Sequence, residues 1–327
     1  MYKAFYNLRR NPFEITPDPS FLFPTKRHNE ALAALYYGVR RHKGFVVLTG
    51  EVGTGKTLLV RCLLHLLKGS NIAYAYLFNS RLSPMEFLQY IAGDLGLNTA
   101  GKGKSELLLE LGGFLVARHQ KRLTTVLVAD EAHHLSADVL EEIRLLTNLE
   151  TPQGKLLQIL LVGQPELAEK LDSVELRQLK QRIALRSQLS PLDLEETRGY
   201  ISRRLQLAGA NSHAAEIFPS ATVAQIYRQA RGIPRLINTV CENALINAYA
   251  RQLKSVPPEI IEEVASDLRL NIAPLLPVEQ KSVDNVDVWG AVKTLMQVHE
   301  RLQAVRSAKS QPLLGGEQGA IKHEPIV

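Results

Sequence analysis

Between Gly50 and Thr57 the chain reads GEVGTGKT, which fits the spacing G-x-x-x-x-G-K-[ST]. The three glycines let a loop running from Gly50 through Glu51, Val52, Gly53, Thr54 and Gly55 turn its N–H groups inward onto phosphate oxygens. Lys56 would set a cation against the β and γ phosphates, and Thr57 offers a hydroxyl to Mg²⁺. A helix starting here would add the positive end of its dipole. The expected ligand is a nucleoside triphosphate with Mg²⁺.

A second stretch, TTVLVADEAHHLS from Thr124 to Ser136, ends an apolar run in two acids. Asp130 would arrive beside the phosphate loop and hold the Mg²⁺ shell. Glu131 could polarise the water that attacks the γ-phosphate, as a general base. Alone, two acids after an apolar run are an ordinary strand-to-loop transition; beside a phosphate loop the chemical reading is the better one. LLQILLVGQPEL is another apolar run with a polar end. Its Gln164 could sense the γ-phosphate or orient the water, or simply cap a turn. His133 and His134 have no cysteine or carboxylate set around them at zinc-ligand spacing, so they read as loop histidines without a special role.

These residues need strands and helices to converge. FVVLTG runs straight into the phosphate loop and KTLLVRCLLHLL follows it, the strand–loop–helix context the motif requires. Strands are expected also at IAYAYLFN, TTVLVAD, LLQILLVG and, nearer an edge, IALRSQL. Helices are expected at HNEALAALYYGVRRHKG, SPMEFLQYIAGDLG, SELLLELGGFLVARHQKR and SADVLEEIRLLTNLE, the last capped by Ser136. Continuously apolar strands alternating with helices predict an α/β fold, a parallel sheet covered on both faces.

After Pro191 everything reads as helix, punctuated by Pro219, Pro234 and Pro257-Pro258. The expected layout is an N-terminal arm over 1–27, an α/β nucleotide-binding domain over 28–190, and a small all-helical lid over 191–268. A linker and tail follow over 269–327. Within the tail, Val288, Ala291, Leu295, Val298, Leu302 and Val305 alternate three and four apart, predicting a coiled-coil-like helix at about 285–306, with a disordered end.

Hydrophobic residues at 45% leave ample material for a core, and the net charge of +6 is a mild surplus compatible with phosphates, nucleic acid or an anionic membrane surface. Cys62 and Cys241 sit in apolar helical patterns and read as buried thiols. The N-terminus lacks the apolar core of a signal peptide, and no transmembrane run is expected, which predicts a cytoplasmic chain, or one peripheral at the inner membrane.

Taken together, GEVGTGKT, VLVADEAHHL, LLVGQPEL and GIPRLIN, with NPFEITPDPSFLFPT near the start, resemble the AAA+ ATPases, and within them the general secretion pathway protein A group, over about residues 1–268. The resemblance implies ATP as the nucleotide, a P-loop NTPase sheet of the ASCE class with the Gln164 strand between the phosphate-loop and Glu131 strands, and a ring or filament of identical subunits. It also implies that a neighbour's arginine reaches the γ-phosphate: Arg182, or as second choice Arg177, both in LRQLKQRIAL. Arg235 of GIPRLIN would be a second sensor at the start of a lid helix. The arm, through Asn11, Pro12 and Phe13, would help enclose adenine. Members that continue into a membrane span and a cell-wall-binding domain have no counterpart expected here.

The letters D-E-A-H also head a class of helicases, but those need two recombinase-like lobes, and only one α/β block is expected. Three functions remain open. The first is ATP-driven assembly of an envelope system (type II secretion, a type IV-like pilus or polysaccharide export) through an inner-membrane partner. The second is an ATP-dependent DNA-binding regulator like the transposition target-selection ATPases. The third is a nucleotide-gated scaffold with little turnover.

Overall fold

The computed structural model describes residues 1–68, 71–78, 81–152, 154–210 and 214–270; the expected tail helix at 285–306 lies outside them. The apolar runs form β1 (Phe45–Gly50), β2 (Ala73–Leu77), β3 (Thr125–Ala129), β6 (Leu157–Gly163) and β7 (Leu185–Leu189). These make one parallel sheet in the order β2-β3-β6-β1-β7. The Gln164 strand therefore lies between the other two, as the resemblance implied. A small antiparallel pair, β4 (Glu150–Thr151) and β5 (Gly154–Lys155), was not anticipated.

Side chains alternate across the sheet and both faces are dry, which is why the strands read as continuous apolar runs. Val46, Leu48, Val126, Val128, Leu160 and Val162 pack on one face. Against them lie α2 (Lys26–Arg40) and α3 (Lys56–Leu67). Val47, Leu127, Ala129, Ile159 and Leu161 pack on the other, under α4 (Pro84–Asp94), α5 (Lys104–Gln120) and α6 (Ala137–Leu146). Each of these fully buried Val, Leu or Ile side chains contributes about 1.5–3 kcal/mol. Helix starts follow their caps: the Thr25 hydroxyl accepts from His28 N–H, and the Ser136 hydroxyl from Val139 N–H. Two short helices, α7 (Pro165–Leu171) and α8 (Arg177–Lys180), link β6 to β7.

The chain then turns wholly helical: α9 (Leu194–Ala208), α10 (Ala214–Ile217), α11 (Ser220–Ala230), α12 (Pro234–Ala250) and α13 (Pro258–Asp267). Their shared core takes in Tyr2, Tyr6, Leu8 and Phe13 from the other end of the chain. The arm, which begins with a single helical turn that would number α1 (Tyr2–Phe5), is pinned there by polar contacts. The Tyr6 hydroxyl donates to Leu253 O (2.8 Å), and Arg9 N–H to Ala208 O (2.7 Å).

Candidate nucleotide site

The C-terminal ends of β1, β3 and β6 bring the expected residues to one place. The phosphate loop leaves β1 and closes onto α3, with Gly53 (φ +81°) and Gly55 (φ +99°) in the left-handed region that side chains disfavour. A Cβ on Gly53 would lie 2.7 Å from the Cβ of Arg235, so glycine also admits the lid helix to the loop. Thr54 is fully buried, and its hydroxyl donates to Glu51 O (2.8 Å). The Lys56 ammonium folds back into the loop, donating to Gly50 O (2.7 Å) and Glu51 O (3.0 Å). Burial pushes its pKa down, opposed by the fields of Glu131 and Asp130.

The hydroxyl of Thr57 donates to Asp130 Oδ2 (2.9 Å), joining the two expected metal-site residues across the loop and β3. A hydroxyl and a carboxylate are hard oxygen donors suited to Mg²⁺, and a loop of backbone amides closed by a lysine suits a polyphosphate. The donor set fits both groups. Tyr76 on β2 was missed by the sequence reading: its hydroxyl also donates to Asp130 Oδ2 (2.9 Å). Burial, reinforced by Asp130, pushes that phenol's pKa far up, so it stays a donor.

Glu131 follows with φ +50°, an uncommon conformation for a side-chain-bearing residue, and its side chain is about half exposed. Gln164 stands at the N-cap of α7 but makes no capping bond; its amide faces His133 instead, Nε2 to Nε2 3.0 Å. His133 has defined polar neighbours. Its Nδ1 lies 3.5 Å from Glu131 Oε2 and 3.4 Å from Gln164 N. Burial, then neighbouring His134, lowers its pKa, and Glu131 opposes the shift. Among the described residues no group of three or more His, Cys, Asp or Glu side chains is placed to hold a metal.

The lid meets the loop directly, since Arg235 N–H donates to Gly53 O (3.2 Å); the Arg235 side chain is exposed in the first turn of α12. Beside the loop, Phe23, Leu58, Leu192, Tyr200 and Pro234 line a small hollow. Phe23 and Tyr200 meet edge to face at 5.9 Å. His28 closes its floor: Nδ1 lies 2.7 Å from the Thr25 hydroxyl and Nε2 3.1 Å from Thr54 O. This corrects the expectation for Pro12 and Phe13, which face the lid core. Phe13 is only 1% exposed, packed on Phe218 in the lid core (5.9 Å), and Pro12 O accepts from Arg204 (2.7 Å). A phenylalanine gains more from burial under the helices than from a half-open rim, and the pocket-facing role falls to Phe23.

Arg182 lies elsewhere. Its guanidinium donates to the Thr147 hydroxyl (2.8 Å), in a hollow shared with Lys43, Gly44, Phe45 and Lys155 at the opposite end of β1. Arg177 is exposed at the start of α8.

Residues 39–171 match the AAA domain family. Over 252 residues, 77% of this chain, the sequence is 44% identical to general secretion pathway protein A of Aeromonas hydrophila, and it spans 45% of that protein's length. A more distant relative is the ATP-dependent target DNA activator B of Escherichia phage D108, at 25% identity over 70% of this chain and 68% of that one. Among solved structures, the ORC2 protein of Aeropyrum pernix superposes over 79% of this chain and 71% of that chain, with TM-score 0.59 and 18% identity. Cdc6p of Pyrobaculum aerophilum superposes over 76% of this chain and 71% of that chain, with TM-score 0.57 and 19% identity. The last two speak for the fold alone. With sheet order, phosphate loop and helical lid all in place, the chain carries an AAA+ P-loop fold, which implies nucleotide binding, and resembles general secretion pathway protein A.

Proposed function

We propose that this chain hydrolyses Mg²⁺-bound ATP to ADP and phosphate and uses the cycle to assemble or remodel an envelope system: type II secretion, a type IV-like pilus or polysaccharide export. The observation that carries the chemistry is the bond between Thr57 and Asp130 directly behind the Lys56 loop. Thr57 and Asp130 would hold Mg²⁺, which supplies charge neutralisation to the phosphates. The loop amides and Lys56 would bind the β and γ phosphates, and the hollow beside Phe23 and Tyr200 would take the base. Glu131 accepts a proton from a water molecule as the water's oxygen bonds to the γ-phosphorus. The bond from that phosphorus to the bridging oxygen breaks, and the oxygen leaves with ADP. Gln164 and Arg235 would contact the γ-phosphate from the sheet and the lid.

Arg182 cannot reach this site in its own chain, because β1 alone separates the two by roughly 17 Å. It fits a cation delivered to the next subunit of a ring or filament, with Arg177 the alternative. A cytoplasmic position, or one peripheral at the inner membrane, accords with this reading. No helix among the described residues is long and apolar enough to cross a membrane.

The envelope role is supported by the 44% identity to the Aeromonas protein. A tagged chain trapped with ATP should co-purify inner-membrane components of a secretion, pilus or export machine. Clean pull-downs together with normal secretion and piliation after deletion would remove it. The likeness to the phage target DNA activator and the net charge of +6 favour a second reading, an ATP-dependent DNA-binding regulator. That reading requires ATP-stimulated, salt-sensitive DNA binding in a filter assay.

A further inference from the structure

We propose that His133 is a positioning residue that ties Glu131 to Gln164, so that the orientation of the Gln164 amide sets whether Glu131 is held or released. The inference rests on the ATPase reading above and adds a residue to it.

The imidazole occupies the space between the two side chains. Nδ1 faces the Glu131 carboxylate (3.5 Å) and the Gln164 backbone N–H (3.4 Å), while Nε2 faces the Gln164 side-chain amide (3.0 Å). The ring is held in place. Lys170 Nζ donates to the backbone oxygens of His133 (3.3 Å) and Leu135, and Ala132 is fully buried. Gly163 lets the end of β6 come close, since a Cβ there would sit 3.3 Å from His133 N. The His134 ring lies beside that of His133, centroid to centroid 3.9 Å and tilted by 41°. The charged groups that face the ring are Glu131, Glu166 and Lys56, with Lys170 below.

A neutral imidazole has one donor and one acceptor, so Nδ1 cannot serve both of its neighbours. With the proton on Nδ1 the ring donates toward Glu131, and Nε2 accepts from the Gln164 NH₂. With the proton on Nε2, Nδ1 accepts from Gln164 N–H and Nε2 donates to Gln164 Oε1. That second arrangement turns the Gln164 NH₂ away from the ring, as a γ-phosphate oxygen would require, and it leaves the Glu131 carboxylate without its imidazole donor, free to accept a proton from water. Passing from one to the other, a proton leaves Nδ1 to water and another reaches Nε2 from water, with no net charge change. In the present structure Gln164 Nε2 faces the ring, as in the first arrangement, while the Gln164 N–H is directed at Nδ1, as in the second.

The direct test is ¹⁵N NMR of the histidine ring in the whole chain, with His133 assigned through its backbone, before and after adding Mg²⁺ and the non-hydrolysable analogue AMP-PNP. The Nδ1–H form should give way to the Nε2–H form. In parallel, H133A should lower kcat about tenfold with KM for ATP changed by less than about twofold, and the effect of Q164A should largely vanish in the H133A background. H133N keeps a donor near the Nδ1 position but cannot reach the Gln164 side chain, so it should fold as wild type without restoring that coupling. An unmoved tautomer with AMP-PNP bound overturns the inference while leaving the ATPase reading intact. So do additive effects of H133A and Q164A, or a loss confined to melting temperature. If the chain binds AMP-PNP but wild type turns over no ATP, the ATPase reading fails, and the NMR comparison alone decides the coupling. If it binds no nucleotide, both fall.

Discussion

Strand β1 has a polar apparatus at each end, and the two are built differently. At Gly50 the polar groups are satisfied within the chain: Lys56 on the loop carbonyls, Thr57 and Tyr76 on Asp130, His28 within reach of Thr54 O. At Phe45 an open hollow is lined by Lys43, Lys155 and Arg182 together with Glu150, and the Arg182 guanidinium donates to the Thr147 hydroxyl. One end is closed on itself; the other leaves cations, one of them paired with Glu150, around an open hollow. Under the proposed function the first is the binding half of a nucleotide site and the second completes the site of an adjoining copy.

The sharpest way to break this contrast is R182A. If Arg182 works on the neighbour's nucleotide, its loss should cut kcat by about 10³–10⁵ while ATP affinity holds. Mixing R182A with K56A should recover part of the activity, because each supplies what the other lacks. Recovery absent, or an effect from R177A and none from R182A, would move the role to the start of α8.

Glycine substitutions probe the two ends with matched chemistry. Gly53 (φ +81°) and Gly44 (φ +87°) both sit in the left-handed region. Alanine should cost each about 1–3 kcal/mol of stability in thermal or urea unfolding. Only G53A should also weaken ATP binding, about tenfold or more if that strain is relieved by shifting the loop. Its new Cβ meets Arg235, whereas that of G44A meets the flexible Lys155. Equal ATP affinity in both variants would contradict an assignment of nucleotide binding to the Gly50 end.

The smallest effect is a pH dependence at the cradle. Burial lowers the pKa of His28 below its ordinary 6.5, opposed by its bond to Thr54 and by Glu196. The unfolded chain therefore binds the proton more readily. The His28 contribution to stability is fully present above pH 6.5 and is lost as the pH falls below it. The slope is at most about 1.4 kcal/mol per pH unit. Urea unfolding between pH 7 and 5 should show a shallower fall in H28Q than in wild type.

What could be read in advance follows from how local each signal is. GEVGTGKT specifies its own loop, and the apolar runs on both sides of Asp130 specify buried strands, so the cradle and the parallel sheet were legible. The end of α6 was not: the helix was expected to continue to Glu150 but stops at Leu146. There the Thr147 hydroxyl bonds back to Arg144 O (2.6 Å), and Lys155 pairs with Glu150 across the small β4–β5 hairpin. The arm and the lid share a core across more than 200 residues of chain, as the Tyr6–Leu253 bond shows, and no local pattern announces that Phe13 belongs there rather than over a base. His133 escaped for the same reason, its partner Gln164 being 31 positions away.

Under the proposed function, turnover requires Glu131 beside the Thr57–Asp130 pair. The most direct measurement is phosphate release from Mg-ATP by wild type and E131Q, under conditions where both are shown to bind ATP. Wild type should turn over with E131Q at least about 10²-fold slower and ATP affinity little changed. Equal rates in the two proteins would contradict the assignment and favour a nucleotide-gated scaffold.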